Sequence, residues 1–241
     1  MIEGSDFYAS PDGEINARIA VHFNARKTDE LVQKYGPYGA AVILGCGDGL
    51  LIRYFQDKFQ RLIVVEGAKA LLDKAERAYN GAAEIEWHHS YFETFTLPAD
   101  KQADFILGNH VLEHVLDPTA VLTRSREWLK PTGFTIFTVP NARSLHRRIG
   151  LAMGLLDDLH DLNDQDRLVG HRRVYDRELL ISHVDAAGYT VVETGGFNLK
   201  MVSQRQMKDW PPELLDAVYQ VSLTCPADIC SNLYIVGRKP S

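Results

Sequence analysis

The chain has 241 residues, 45% of them hydrophobic, with a formal net charge of −6; this is enough apolar material for a single α/β domain with a sizeable core. The acidic balance argues against a protein that coats nucleic acid or an anionic membrane, so the expected partner is a small molecule. No apolar run approaches bilayer length, the opening MIEGSDFYASPDGE is acidic and polar rather than signal-like, and Cys46, Cys225 and Cys230 show no metal-type pairing, so a reduced, cytoplasmic setting is expected.

Ile15, Ile19 and Phe23, then Leu31, Val32 and Tyr35, recur at helical spacing. They predict one or two amphipathic helices in a cap over residues 1–40, which Gly36-Pro37 ends and which could also serve a homodimer. Residues 41–241 read as the main domain. Ala41-Val42-Ile43-Leu44 is an unbroken apolar run, as in a strand buried on both faces of a parallel sheet. It ends in Gly45-Cys46-Gly47-Asp48-Gly49, after which Leu50, Leu51, Tyr54 and Phe55 open a helix. Glycines there let a ligand lie against the main chain, and strand, glycine turn and helix make half of a nucleotide site. The second strand, 62–66, ends in Glu66, placed where a carboxylate can accept hydrogen bonds from both hydroxyls of a ribose.

A helix over 68–79 and a weak strand at 84–88 follow. The fourth strand, 103–108, leads directly into Asn109-His110-Val111-Leu112-Glu113-His114-Val115. Asp117 and Pro118 mark a helix start, Lys130-Pro131-Thr132-Gly133 a turn, and 134–139 a fifth strand. Residues 141–175 contain a mildly apolar segment, 149–156, but no clear element, and a loop of that length in a compact domain is usually a lid. Beyond it come a helix from Asp176 to Gly188, a strand at 189–193, a helix at 212–223 and a last strand at 232–236. The alternation predicts a doubly wound, largely parallel α/β sheet with ligands at the carboxyl ends of its strands.

Two cofactor classes compete for the glycine turn. A dinucleotide site requires G-x-G-x-x-G, but the third glycine here, Gly49, is one position early and Leu50 stands in its place. A ligand without a pyrophosphate, such as S-adenosylmethionine, suits G-x-G-x-G better. From Ala41 to its end the chain resembles the class I S-adenosylmethionine-dependent methyltransferases, of the branch that includes small-molecule, quinone and sugar methyltransferases. VLEHVLDP, WLKPTGFTIFTVPN and the helix ending AAGY are similar to successive segments of that family in the same order. The resemblance implies a seven-stranded sheet whose last strand is antiparallel beside the sixth. It also implies that S-adenosyl-L-methionine lies on Gly45, Cys46 and Gly47, with Glu66 and Gly67 at the ribose, Ser90, Tyr91 and Phe92 at the adenine, and Asn109 and His110 bordering the methyl donor. The sequence departs from the family pattern at Ile43, where an acid is usual two places before the first glycine, and at His89-Ser90-Tyr91, where the Ser90 hydroxyl would replace a carboxylate.

The implied activity is methyl transfer to an oxygen, or less readily a nitrogen, of a small biosynthetic acceptor. Such a reaction needs the acceptor positioned and, for a hydroxyl, its proton removed. His110, His114 and His171 are candidates for that task, each with a structural hydrogen bond as its plainer role. His110, Glu113 and His114 also have the spacing of a metal-binding helical turn, although only Glu113 matches the family's metal residues in kind, and no metal is assigned. The insertion is basic at both ends, with Arg143, His146, Arg147 and Arg148 on one side and His171, Arg172 and Arg173 on the other. If these ends meet at the pocket mouth, the acceptor is anionic and Tyr175 supplies part of its wall; otherwise the arginines pair with the lid's own aspartates. The segment after the fourth strand lacks the D/N-P-P-aromatic tetrad of base-modifying methyltransferases, which disfavours nucleic acid. A nicotinamide-dependent oxidoreductase and a non-catalytic methyltransferase-like subunit are the alternative readings.

Overall fold

The computed structural model describes Gly13, Ile15, Ile19 and residues 22–47, 49–81 and 83–240. Most of the expected N-terminal helical pattern before residue 22, and Asp48 of the glycine turn, lie outside the described residues. A seven-stranded sheet of order β3-β2-β1-β4-β5-β7-β6 forms the centre. Its strands are β1 (Ala40–Leu44), β2 (Arg61–Glu66), β3 (Glu84–His89), β4 (Ala103–Asn109), β5 (Leu129–Pro140), β6 (Thr190–Phe197) and β7 (Asn232–Arg238). The pairs among β1 to β5 are parallel, whereas β7 runs antiparallel to both β5 and β6. The carboxyl ends of β1 to β6 therefore share one edge, the ligand edge of a doubly wound sheet.

Period-two alternation explains why the central strands lack polar residues. Ala41, Ile43, Leu62 and Val64 point into one core layer, while Val42, Leu44, Ile63 and Val65 point into the other. Each fully buried aliphatic side chain is worth roughly 1.5–3 kcal/mol against exposure. The first layer is closed by α1 (His22–Tyr35), α2 (Leu50–Phe55), α3 (Lys69–Ala78) and α8 (Pro212–Ser222), through Phe23, Ile52, Leu72 and Tyr219 among others. The second is closed by α4 (Pro118–Glu127) and α7 (Arg177–Ala186), through Val121, Leu122, Leu180 and Val184. Both of these helices start on an aspartate that accepts a backbone N–H: Asp117 from Ala120 at 2.9 Å, Asp176 from Leu179 at 2.8 Å.

Three elements differ from the sequence expectation, the first being β6, which runs on past 193 to Phe197. The β5 pairing starts at Leu129, and its register steps from Ala103↔Leu129 to Phe105↔Phe134, so the Lys130–Gly133 turn becomes an irregularity within a longer strand. The 141–175 insertion contains two short helices, α5 (Leu145–Ala152) and α6 (Asp164–Leu168). α6 is fixed by a reciprocal capping box in which Asn163 and Asp166 each accept the other's backbone N–H. The two ends of the insertion meet at an isolated parallel bridge between Asn141 and Tyr175.

Candidate active site

The glycine turn is built by β1 stopping one residue before its neighbour. Leu44 pairs with Val65, and the next residue, Gly45, donates its N–H to Val65 O at 2.9 Å. Gly45 and Gly47 then take left-handed backbone angles, φ 75° and 50°, which L side chains adopt at a cost. A Cβ on Gly47 would meet nothing within 4 Å and would project into open space at the mouth of the turn. Glu66, buried at the end of β2, braces this loop. Its Oε2 accepts from Cys46 N at 3.0 Å and its Oε1 from Ala68 N at 2.7 Å. Oε2 also accepts from Cys46 Sγ at 3.5 Å. A carboxylate has about four lone-pair sites, so one, on Oε1, remains for a ligand hydroxyl, and the turn and Glu66 fit an aminoacyl-nucleoside in chemistry.

These residues open into a cavity of ≈ 1270 Å³. Pockets for one small ligand usually measure about 300–1,000 Å³, so there is room for two ligands side by side. The lining includes Gly45, Cys46, Gly47, Glu66 and Gly67, with Tyr91, Phe92 and Asn109. The same lining includes His110, His114 and His171, and also His146, Arg147, Arg172 and Lys200. Ser90, Arg143, Arg173 and Tyr175 do not line it. Ser90 Oγ instead donates to Tyr91 O at 3.1 Å, and Tyr175 is fully buried in the second core layer.

His110 leaves β4 with φ 55°, a conformation uncommon outside glycine, and its N–H donates to Thr138 O at 2.9 Å. Asn24 Nδ2, from α1, lies 3.1 Å from Nε2. An amide nitrogen only donates, so Nε2 accepts and Nδ1 carries the proton. That Nδ1 is 3.2 Å from Oε1 of the fully buried Glu113. The contact is electrostatic, because neither Glu113 oxygen receives a well-aligned hydrogen bond. Burial alone would push the Glu113 pKa up, but His110, and then His114 and His171, hold it below the ordinary carboxylate value. His114 is held below its usual value by burial, and its ring meets that of His171 edge-on, centroids 4.7 Å apart. The ligand atoms of Glu113, His114 and His171 lie within 4.8 Å of one another, a nitrogen and oxygen set competent for a divalent cation. His171 thus stands where the sequence spacing suggested His110.

The basic ends of the insertion do meet, but their guanidinium groups are largely engaged by the protein. Arg173 donates to the carbonyls of Leu112 (2.8 Å), Val115 (2.5 Å) and Leu116 (3.0 Å), and Arg172 Nε to His114 O at 3.0 Å. Arg147 pairs with Asp166 at 3.0 Å and also donates to Leu159 O and Asp161 O. Arg143 pairs with Asp176 at 3.2 Å and with Glu178 at 3.4 Å. His171 Nδ1 faces the other Asp166 oxygen at 3.0 Å. Although burial opposes it, the His171, Asn163 and Arg147 contacts depress the Asp166 carboxyl to about 2.

Sequence reading missed Asn24, Asn198 and Lys200 as lining residues. Asn198 and Lys200 follow β6 at the ligand edge, a position that becomes visible once the strand is known to extend to Phe197.

A model of a methyltransferase domain matches residues 17–194. The chain is 32% identical to the ubiquinone biosynthesis O-methyltransferase of Dinoroseobacter shibae over 99 residues, 41% of this chain and 40% of that one. It is 28% identical to the malonyl-[acyl-carrier protein] O-methyltransferase of Halalkalibacterium halodurans over 134 residues, 52% of this chain and 49% of that one. The chain spans about half the length of the curated relatives it matches. In fold it is similar to an S-adenosylmethionine-dependent methyltransferase structure from Mesorhizobium loti, with a TM-score of 0.61, 14% identity, and coverage of 89% of this chain and 96% of that one. Among the described residues no helix is long and apolar enough to cross a membrane.

Proposed function

The chain belongs to the class I S-adenosylmethionine-dependent methyltransferase family, and on that premise we propose that it methylates an oxygen of a small anionic acceptor, with His110 as the general base. One observation carries the reading: a single cavity is lined by the glycine turn and Glu66, by His110, and by the basic residues Arg147, Arg172 and Lys200. The cofactor, when bound, supplies an activated methyl group on a sulfonium. Gly45, Cys46 and Gly47 would hold its aminoacyl arm, Glu66 a ribose hydroxyl, and Tyr91 and Phe92 its adenine.

The chain's own part is to orient the acceptor, exclude water and take one proton. Glu113 keeps the His110 proton on Nδ1, so that Nε2 presents its lone pair toward the cavity, where Asn24 now donates to it. An acceptor hydroxyl replacing Asn24 would give its proton to Nε2, and the imidazolium so formed would face the Glu113 carboxylate. Ile149, Met153 and Leu155 of the insertion supply an apolar wall. An anionic acceptor suits the lining around Lys200, whose ammonium stands near an Arg147–Asp166 pair that neutralises itself. The test is transfer of an isotope-labelled methyl group to a panel of small hydroxy-carboxylates and phosphorylated alcohols, each matched with a neutral analogue. Labelling confined to the neutral members would contradict the anionic acceptor, and labelling of amines alone would contradict the oxygen.

A further inference from the structure

The lid arginines are occupied by carbonyls and carboxylates, and this leaves a different group to meet an anion. Lys200 lines the cavity and makes no hydrogen bond or ion pair among the described residues, although the Asp166 charge acts on its ammonium. Asn198, two residues earlier, lines the same cavity. It is 4% exposed, its Oδ1 has no hydrogen-bond partner, and it holds a left-handed φ of 61°. Its backbone is fixed on both sides, with N donating to Ser222 Oγ at 2.8 Å and O accepting from Ser231 N at 2.7 Å. Its main chain is therefore fixed where the residue lines the cavity. His146, on α5, adds a third polar group, a buried Nδ1 without a partner. Asn198 and His146 each carry a buried atom without a partner, Lys200 acts electrostatically on His146, and all three line one cavity; native proteins leave few buried polar groups unsatisfied.

We propose that Lys200, Asn198 and His146 form an anion subsite that holds a carboxylate or phosphate of the acceptor in the cavity that the glycine turn also lines. The proposal rests on the methyltransferase reading for the word acceptor, but not for the site itself. Lys200 supplies the charge and His146 donates from Nδ1 as a neutral ring; the Asn198 Oδ1 is an acceptor, so this amide serves the anion only after a half-turn about its last torsion exchanges O and N. Burial lowers the Lys200 ammonium to about 8, Asp166 acts against this and Arg147 with it. An anion bound there would return the group to its ordinary range, so binding should take up a proton as the pH rises past 8. The titratable groups acting on Lys200 keep their state in that window: Asp166 ionises near 2, and His146, lowered to about 2 by burial, Lys200 and Arg147, stays neutral.

The probes are benzoate, phenyl phosphate and benzyl alcohol, titrated by calorimetry into the protein with and without S-adenosylhomocysteine. At least one anion should bind at least about tenfold more tightly than the alcohol, a gap of about 1.4 kcal/mol; benzoate or phenyl phosphate alone would identify the group as carboxylate or phosphate. Lys200→Met should remove that preference, Lys200→Arg should keep it, and wild-type anion affinity should fall between pH 7 and 9 while that of Lys200→Arg stays level. Equal binding of alcohol and anions, no binding of either anion, or an unchanged preference in Lys200→Met would overturn the subsite. If Lys200→Met fails to fold, a level wild-type pH profile would do so. Failure of S-adenosylhomocysteine to bind the wild type would instead contradict the methyltransferase reading, and the titrations without it would still judge the subsite.

Discussion

His110 and the fully buried Glu113 form a histidine–carboxylate pair, Nδ1 to Oε1 at 3.2 Å, at the point where β4 ends. The pair is the product of a left-handed residue at 110 and a turn that returns Glu113 beneath it. It fixes which ring nitrogen is free to accept a proton.

Removal of the base should therefore cost chemistry and spare donor binding. His110→Ala is expected to lower kcat by about 10²–10⁴-fold and to leave the Kd of S-adenosylhomocysteine within about threefold. Glu113→Gln, which keeps the shape and loses the charge, should lower kcat in the same direction with KM nearly unchanged. Steady-state kinetics on the best acceptor of the labelling panel would check both. Because the proton goes to a protein nitrogen, exhaustive chelation should leave turnover unchanged; its loss, with recovery on adding a divalent cation, would move the assignment to the Glu113–His114–His171 group.

Arg173 is expected to act on stability. Its guanidinium donates to three carbonyls of the 112–116 turn, two of them part-buried, and leaving a desolvated carbonyl unmet costs about 1–3 kcal/mol. Arg173→Met should lower the Tm by several degrees while leaving the anion preference of the cavity intact. Differential scanning calorimetry would check the first outcome and the benzoate titration the second.

The acid limb of stability should carry a histidine signature. Burial lowers the His146 pKa to about 2, far below the 6.5 of an ordinary imidazole. The unfolded chain thus binds a proton there between those values and the folded chain does not, so the His146 contribution is absent above 6.5 and destabilising as pH falls below it. His114 and His183 are lowered by burial as well and add in the same sense. His146→Gln should flatten the slope of unfolding free energy against pH between 6 and 4 by up to one proton's worth, measured by urea denaturation across that range.

The parts of this molecule legible in the sequence are those written in local pattern. Alternating burial of 41–44 and 62–65, the aspartate caps at 117 and 176, and the glycine turn all follow from residues adjacent in the chain. The resemblance added the antiparallel β7 between β5 and β6. What the sequence could not place were contacts made across it. Arginines at the lid ends look identical whether they face a ligand or a carbonyl, and only the fold turns Arg173 onto residues 112–116. Asn24 reaches His110 across 86 positions, and no periodicity announces that. Lys200 is a single charge after a strand whose end was read too early.

The donor cradle makes the central claim, and calorimetry with S-adenosylhomocysteine tests it most directly. The account predicts one site per chain with a Kd of roughly 1–100 μM, or about −8 to −5.5 kcal/mol. Gly47→Ala should weaken binding at a folding cost of only about 1–2 kcal/mol, because the added methyl enters the open mouth of the turn and the backbone there is left-handed. Glu66→Ala should weaken it as well. Absence of binding to the folded wild-type protein, or undiminished binding to both variants, would contradict the assignment.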